Sequence, residues 1–347
     1  AMRDAIRALP DGEYRSVITN NPLGETITYP VLVKVEGDTI TVDFDGAPPQ
    51  LPQGGLNSTL NYTAAHATYP LKCMLTPAVR GNAGCYRPFT VTAPEGSILN
   101  PTYPAAVNLR TRTGWYLAPN IFAALASASP DMVQSFTGLA VAANVYGQTK
   151  DGQFYSDMLF CGGGQGGSER GDGHSSLLWP TSAANTSIEL MESRVPVLVL
   201  EKAFRADSGG AGKMRGGLGQ VVRFRKRDED GLEMLVSVYP EGVDNPIEGL
   251  FGGKAGGGAR GRVLSTDGRV LRDCGTGELV SLHRTDQVVE LVLAGGSGYG
   301  NSAERSPAAI SRDLALGFVT PEHVALNYRH EPGTSGTVAP QENVAWA

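Results

Sequence analysis

No stretch of this chain approaches the roughly 18 consecutive apolar residues of a membrane-spanning helix. The opening, AMRDAIRALPDGEY, lacks the basic end and apolar run of a secretory signal. Positive charge is not in excess either: 29 Lys and Arg stand against 35 Asp and Glu, a formal net charge of -6. That balance gives no electrostatic footprint for nucleic acid. Cysteine is sparse, with only Cys73, Cys85, Cys161 and Cys274, and no pair has the C-x-x-C spacing of a zinc or redox motif. The expectation is free, buried thiols in a reducing cytoplasm. The five histidines form no H-x-H, H-E-x-x-H or H-x-x-x-H pair, so no metal ligand set is assigned.

What is abundant is glycine, 45 of 347 residues, about twice the usual share. It is clustered rather than periodic. Such clusters mark places where backbone turns sharply, takes a positive φ, or comes very close to a ligand or to another backbone.

Between the clusters the pattern favours strands. YPVLVKVEGDTITVDFDG, from Tyr29 to Gly46, alternates apolar and polar residues on either side of Gly37-Asp38 and predicts a β-hairpin. Leu60 to Leu75 is a candidate helix interrupted by Pro70. Arg110 to Ser129 is another, with Pro119 marking a kink or a start. QFYSDMLF, PVLVLEKAFR, QVVRFRK, EMLVSVYP and VVELVLAG read as strands. PAAISRDLALG reads as an amphipathic helix with Ile310, Leu314 and Phe318 on one face. The whole predicts an α+β protein, β-rich with large mixed or antiparallel sheets, a few helices and glycine-rich loops. Residues 1–155 are expected to form a hairpin plus a helical part and 156–330 a glycine-rich β-dominated part. Residues 331–347 are expected to be a disordered tail.

The densest cluster, CGGGQGGSERGDGHSS from Cys161 to Ser176, contains G-x-G-x-x-G. The following SERGDGHSS is a poor helix, so the dinucleotide fingerprint fails. GGAGKMRGG lacks both the first glycine and the Ser/Thr of a phosphate-binding P-loop. Asp172 and His174 could reach one cation across Gly173, though Asp-Gly-His is more often a plain turn. Arg170, Asp172 and His174 have two readings. They are either polar groups on a loop whose amides face an anion or carbonyl, or a hydrated surface. Asp207, Ser208, Lys213 and Arg215 in the second cluster divide the same way.

Four segments in order decide more: NAGCYRPFTVTAPEGSILNPTYPAAV, GGGQGGSERGDGHSSLLWP, PVLVLEKAFRADSGGAGKMRGGLG and AGGSGYGNSAERSPAAISRDLALGFVTPEHV. Together with AIRALPDGEY and the hairpin ending VDFDG, they resemble the hydantoinase B/oxoprolinase family up to about Tyr328. The resemblance implies a B-type subunit, or a fragment of one, in an ATP-dependent cyclic amidase. A hydantoinase A-type partner would bind ATP and Mg and phosphorylate the substrate carbonyl, and the B side would open the ring, in a hetero-oligomer. It implies a rival too, a subunit of an acetone- or acetophenone-type carboxylase, and a third reading remains, a non-catalytic structural module. The match is to the C-terminal two-thirds of the family. The N-terminal portion, where carboxylase relatives hold a divalent metal, lies outside the match. On this reading His174, Asp172 and Arg170 are the candidate catalytic residues. Gly163, Gly164 and Gly166 would offer backbone N–H groups to an oxyanion, and Asp207, Ser208, Lys213 and Arg215 would contact substrate. The particular substrate stays open among hydantoin, 5-oxoproline, lactam and ketone.

Overall fold

The computed structural model describes residues 1–22, 26–181, 183–240, 246–275 and 277–328; the expected tail, 331–347, lies outside the described residues. Helix α1 (Met2–Ile6) leads into β1 (Gly12–Asn20), β2 (Ile27–Glu36) and β3 (Thr39–Asp43). Then come α2 (Leu60–Leu75), α3 (Ala83–Tyr86), β4 (Phe89–Thr92) and α4 (Arg110–Leu125). The strands form one mixed sheet in the order β1-β2-β3-β4, in which only β3 and β4 run parallel. Period-2 patterning places Tyr29, Val31, Val33 and Val35 of β2 in the core. Gly37 turns the predicted hairpin with φ +60°. Helix α4 lies on β1 and β2 and packs beside α2. It is buried on nearly every side from Arg112 to Ile121, as expected of a core helix. Pro70 and Pro119 lie inside their helices and are themselves buried. Tertiary packing therefore overrides the breaks expected from sequence.

The next elements are β5 (Val141–Gln148), β6 (Phe154–Cys161), α5 (Ile188–Arg194), β7 (Val197–Phe204), β8 (Gln220–Lys226) and β9 (Met234–Val238). They are followed by β10 (Arg260–Ser265), β11 (Val270–Cys274), β12 (Glu278–Leu282) and β13 (Gln287–Val292). They pair antiparallel into two sheets, β11-β10-β13-β8-β7 and β12-β9-β5-β6. A second core draws from both sheets, with Val141, Val145, Leu159 and Val236 from one and Val222, Phe224, Val263 and Leu291 from the other. The fold is thus α+β and β-rich, with one mixed and two antiparallel sheets. Helices α6 (Pro307–Ala315) and α7 (Pro321–Asn327) complete the described part. The expected apolar face of α6 holds only in part: Ile310 is buried, but Leu314 is exposed and Asp313 is buried in its place. Among the described residues, no helix is long and apolar enough to cross a membrane.

The glycine clusters form a bundle of largely irregular segments, 135–138, 162–167, 173–177, 208–219, 249–257 and 294–300. Segment 162–167 alone bonds in four directions. Gly138 N donates to Gly164 O (2.8 Å), Gly164 N to Ala294 O (3.0 Å), Gln165 N to His174 O (2.9 Å) and Gly217 N to Gln165 O (2.7 Å). A β-strand has only two hydrogen-bonding neighbours, so this is a bundle and not a sheet. The approach is too close for side chains. A Cβ at Gly164 would lie 1.8 Å from Gly217 O, and one at Gly216 would lie 1.8 Å from Gly296 O. The logic is that of the collagen axis, where only hydrogen fits. Gly164→Ala is expected to destabilise the chain by at least about 3 kcal/mol, because backbone rather than a side chain must yield. Gly275→Ala, whose Cβ would meet nothing nearer than 3.8 Å, should stay within about 1 kcal/mol of the parent. Urea unfolding of both variants checks this, and equal losses would show that the close approach is not what demands glycine.

Candidate active site

The residues expected to carry chemistry divide into three groups. Gly163, Gly164 and Gly166 are buried in the bundle, and two of their amides are used inside the chain. Gly164 N donates to Ala294 O, and Gly166 N donates to Thr137 Oγ1 at 3.1 Å. The expected oxyanion donors at Gly164 and Gly166 are therefore spent on the fold, because the bundle has no other way to satisfy its buried amides. Asp207 and Ser208 form a second group with local duties. Asp207, at φ +60°, accepts from Thr320 N (2.7 Å) and Thr320 Oγ1 (2.8 Å) where the chain enters α7. Buried Ser208 donates to Arg205 O (2.6 Å) and accepts from Gly219 N (3.0 Å). Arg170 and His174 are exposed. His174 is held by its backbone, which accepts from Gln165 N and donates to Gln165 Oε1 at 3.3 Å.

Asp172 and Arg215 do come together, but with partners that sequence reasoning missed. Arg305 grips Asp172 with both terminal nitrogens, at 2.7 and 2.8 Å, and Arg312 adds a third contact at 3.0 Å. The Arg215 amide donates to Asp172 at 2.7 Å. Asp313 lies between Arg215 Nε (3.2 Å) and Arg305 (2.5 Å). Burial alone would raise the Asp172 carboxyl. The hydrogen bonds and charge of Arg305, with the Arg215 amide, outweigh it and hold Asp172 below the usual carboxylate range. Burial likewise works against the charge of Arg305, and Asp172 and Asp313 push it the other way, further into its charged form. A carboxylate so firmly ionised is a poor proton donor, so the acid/base role expected of Asp172 is ill matched to its surroundings. The available signal was Asp313 on the predicted apolar side of α6. Lys213 borders the same surface hollow, of about 450 Å³, and pairs with Glu169 at 3.4 Å.

A second hollow, which no sequence motif announced, lies between α2, α4 and the outer face of β5-β6. Its volume is about 450 Å³. Strand alternation builds its floor: Ala143, Val145, Leu159 and Cys161 face the sandwich core, while Ala142, Asn144, Met158 and Phe160 face the hollow. Tyr62 and His66, one helical turn apart on α2, meet with 4.5 Å between ring centres and their planes tilted by 40°. Burial pushes the His66 imidazole down to about 4, against a hydrogen bond to the Gly114 backbone that acts the other way, so it is neutral at pH 7. The Arg112 guanidinium lies 4.3 Å over the Tyr239 ring. An apolar chamber with a few convergent polar groups and a perturbed histidine is the usual form of a small-molecule site. Among the described residues, no group of three or more His, Cys, Asp or Glu is arranged to hold a metal ion.

The profile of the hydantoinase B/oxoprolinase family matches residues 1–302. The chain belongs to that family. It is 31% identical to the B subunit of a putative D-/L-hydantoinase of Pseudomonas sp. strain NS671, over 94% of this chain and 57% of that protein. It is 28% identical to the beta subunit of the caprolactamase of Pseudomonas jessenii, over 94% and 58% respectively. The crystal structure of the ATP-dependent caprolactamase from Pseudomonas jessenii superposes with a TM-score of 0.81 at 25% identity, covering 94% of this chain and 58% of that one. A nucleotide-free acetone carboxylase superposes at 0.80 with 17% identity, over 94% of this chain and 50% of that one, which shows the shared fold. The chain thus spans under three-fifths of these relatives' length.

Within this hydantoinase B/oxoprolinase family member the Asp172 network ties α6 to the glycine bundle. Asp172→Asn should cost about 3–5 kcal/mol, the range for breaking one side of a buried pair. Its stabilisation is present above the ordinary carboxyl value of 3.8 and lost as pH falls through the lower folded value. The gap between variant and parent should therefore be widest at neutral pH and close only in strong acid. Thermal unfolding across pH measures it, and a constant gap down to the lowest pH would contradict the ion-pair account.

Proposed function

We propose that this chain works as the B-type part of an ATP-dependent cyclic amidase and opens the ring of a substrate whose carbonyl oxygen has been phosphorylated. The carrying observation is the match of 94% of the chain to proteins named as the B subunit of a hydantoinase and the beta subunit of a caprolactamase. ATP and Mg belong, on this reading, to a hydantoinase A-type partner in a hetero-oligomer. The interior of this chain supports that division, since the glycine amides at 164, 166, 167 and 217 donate within the chain and so do not form the open amide cradle that a phosphate requires. The four cysteines are all free, three of them buried as expected and Cys73 exposed, which supports work in the reducing cytoplasm.

The hollow between α2, α4 and the β5-β6 face is the proposed seat of the ring. Of the acid/base candidates, His174 keeps an exposed side chain on a backbone held by Gln165; it does not itself line that hollow, and it is the group proposed to move a proton in the assembled enzyme. Arg170, exposed on the loop that carries His174, and Lys213, half-buried on the second glycine cluster beside Glu169, offer charge that can orient a phosphorylated intermediate.

The test is an ATPase-coupled ring-opening assay on the chain alone and in the assembled enzyme, over hydantoins, lactams, 5-oxoproline, and ketones with labelled bicarbonate. Turnover of a cyclic amide only in the assembly supports the reading, whereas incorporation of label into a ketone product assigns the carboxylase branch instead. His174→Ala should leave unfolding unchanged and lower turnover by about 100-fold or more. Turnover at the parent rate would remove His174 from that role.

A further inference from the structure

We infer that Arg205 and Arg260, on the outer face of the five-stranded sheet, form an accessory binding site for a phosphate dianion. Alternation fixes which side chains share this face. Across β8, β13 and β10, Arg223, Glu290 and Arg262 stand opposite one another, and two residues along the strands so do Val221, Val292 and Arg260. Arg205 approaches from β7. Its amide donates to Gly219 O (2.9 Å), which extends the β7-β8 pairing one residue beyond Phe204. Its side chain reaches the segment before β10, where Nη1 donates to Gly258 O at 2.8 Å. A glycine makes the seat. A Cβ at Gly257 would lie 3.1 Å from Arg205 Nη2 and 3.3 Å from both Cζ and Nη1. Distances so nearly equal mean that the guanidinium lies flat on Gly257. One nitrogen is bonded and one face is covered, so the group is fixed. Among the described residues its Nε and Nη2 have no hydrogen-bond partner.

The charges around it are of one sign. Arg205 is half-buried, and burial, then the charges of Arg260 and Arg262, hold it below the usual arginine range. The Arg260 side chain is exposed and, among the described residues, makes no hydrogen bond or ion pair. The next row of the same face is the contrast. There Arg223 pairs with Glu201 and with Glu290 (2.7 Å), and Arg262 with Asp273 (3.0 Å) and Glu290 (3.7 Å). Three carboxylates serve two arginines in that row, and none serves the pair beside it. A lysine so placed could shed its proton, but a guanidinium cannot. The remaining way to offset the charge is a bound anion. Two guanidinium forks suit an oxyanion with several acceptors. A phosphate dianion answers both charges, where a carboxylate answers one. Its source is either the free ion or a phosphomonoester. Neither arginine lines the hollow against β5-β6 or the one beside Asp172, so the inference does not depend on the proposed reaction.

The experiment is calorimetric titration and thermal unfolding of this chain with inorganic phosphate, phenyl phosphate and acetate. It is run at about pH 8, where phosphate is chiefly dianionic, with chloride holding the ionic strength constant. Saturable phosphate binding with a Kd on the order of 1 mM is expected, and acetate should bind more weakly by about tenfold or more. Phenyl phosphate that binds like phosphate supports a phosphomonoester as the source, and its rejection supports the free ion. Arg260→Gln should weaken phosphate binding by about tenfold or more and unfold like the parent in chloride. Arg205→Lys, which keeps the charge and loses the fork, should weaken it as well and serves as the second variant. Arg15→Gln removes an exposed arginine on β1 and should leave binding unchanged. No saturable phosphate binding, acetate binding as tightly as phosphate, or equal weakening by Arg260→Gln and Arg15→Gln would overturn the inference.

Discussion

The packing of backbone directly on backbone is the constraint on which the other features rest. At Gly295 an added Cβ would lie 1.8 Å from Ser208 O, at Gly166 1.9 Å from Ser135 O, and at Gly173 1.9 Å from Gln165 O. These contacts join segments from the end of the first core, from both sheets of the sandwich and from the approach to α6. Side chains do not mediate the joins, so the usual tolerance of a core to volume-conserving swaps does not apply. The glycines at these positions have no positive φ, and their identity is set by distance alone. Once the amides are spent on neighbouring segments, the bundle has no donors left at Gly164, Gly166 or Gly167 to offer a ligand. A stretch that looks like a binding loop acts as a frame.

Charge completes what the bundle starts. Arg215, Arg305, Asp172 and Asp313 form an alternating chain of ion pairs, largely out of solvent, between the bundle and α6. Each partner is tolerable only because the next one is there. Removing one leaves an uncompensated charge in a poorly solvated place, and that asymmetry makes such networks rigid. Asp207 does the equivalent at the entry to α7, where its carboxylate takes both donors of Thr320. Two acidic residues expected at the site, Asp172 as a catalytic group and Asp207 as a substrate contact, therefore hold helices in place.

What could be read from the sequence follows from how local each signal is. The hairpin from Tyr29 to Gly46 was legible because alternation and the Gly37-Asp38 turn are contiguous. So were β6 to β9, β13 and the helical stretches, although Pro70 and Pro119 suggested breaks that burial overrode. The family resemblance was legible in four ordered segments. The role of Asp172 was not, because the arginines that claim its carboxylate are 133 and 140 positions away and nothing near residue 172 announces them. The hollow was invisible for a related reason. His66, Trp115, Ala142 and Phe160 come from four separate elements, each unremarkable alone, and Ala142 matters for the atoms it lacks.

The frame and the hollow are mechanically one object, joined by β6. Met158 and Phe160 face the hollow, Leu159 and Cys161 face the sandwich core, and the next residues, Gly162 to Gly167, enter the bundle. Side-chain direction in a strand has a period of two. A slip of one residue along β5 would turn Leu159 and Cys161 toward the hollow and bury Phe160. The same slip would carry Gly164 away from Gly217 and bring Gln165 toward a contact that admits no side chain. The bundle therefore forbids the wrong register of β6 more strictly than hydrophobic patterning could. The hollow's shape is specified by glycines that never touch its contents, so substitutions in the bundle should register as changes of ligand fit as well as of stability.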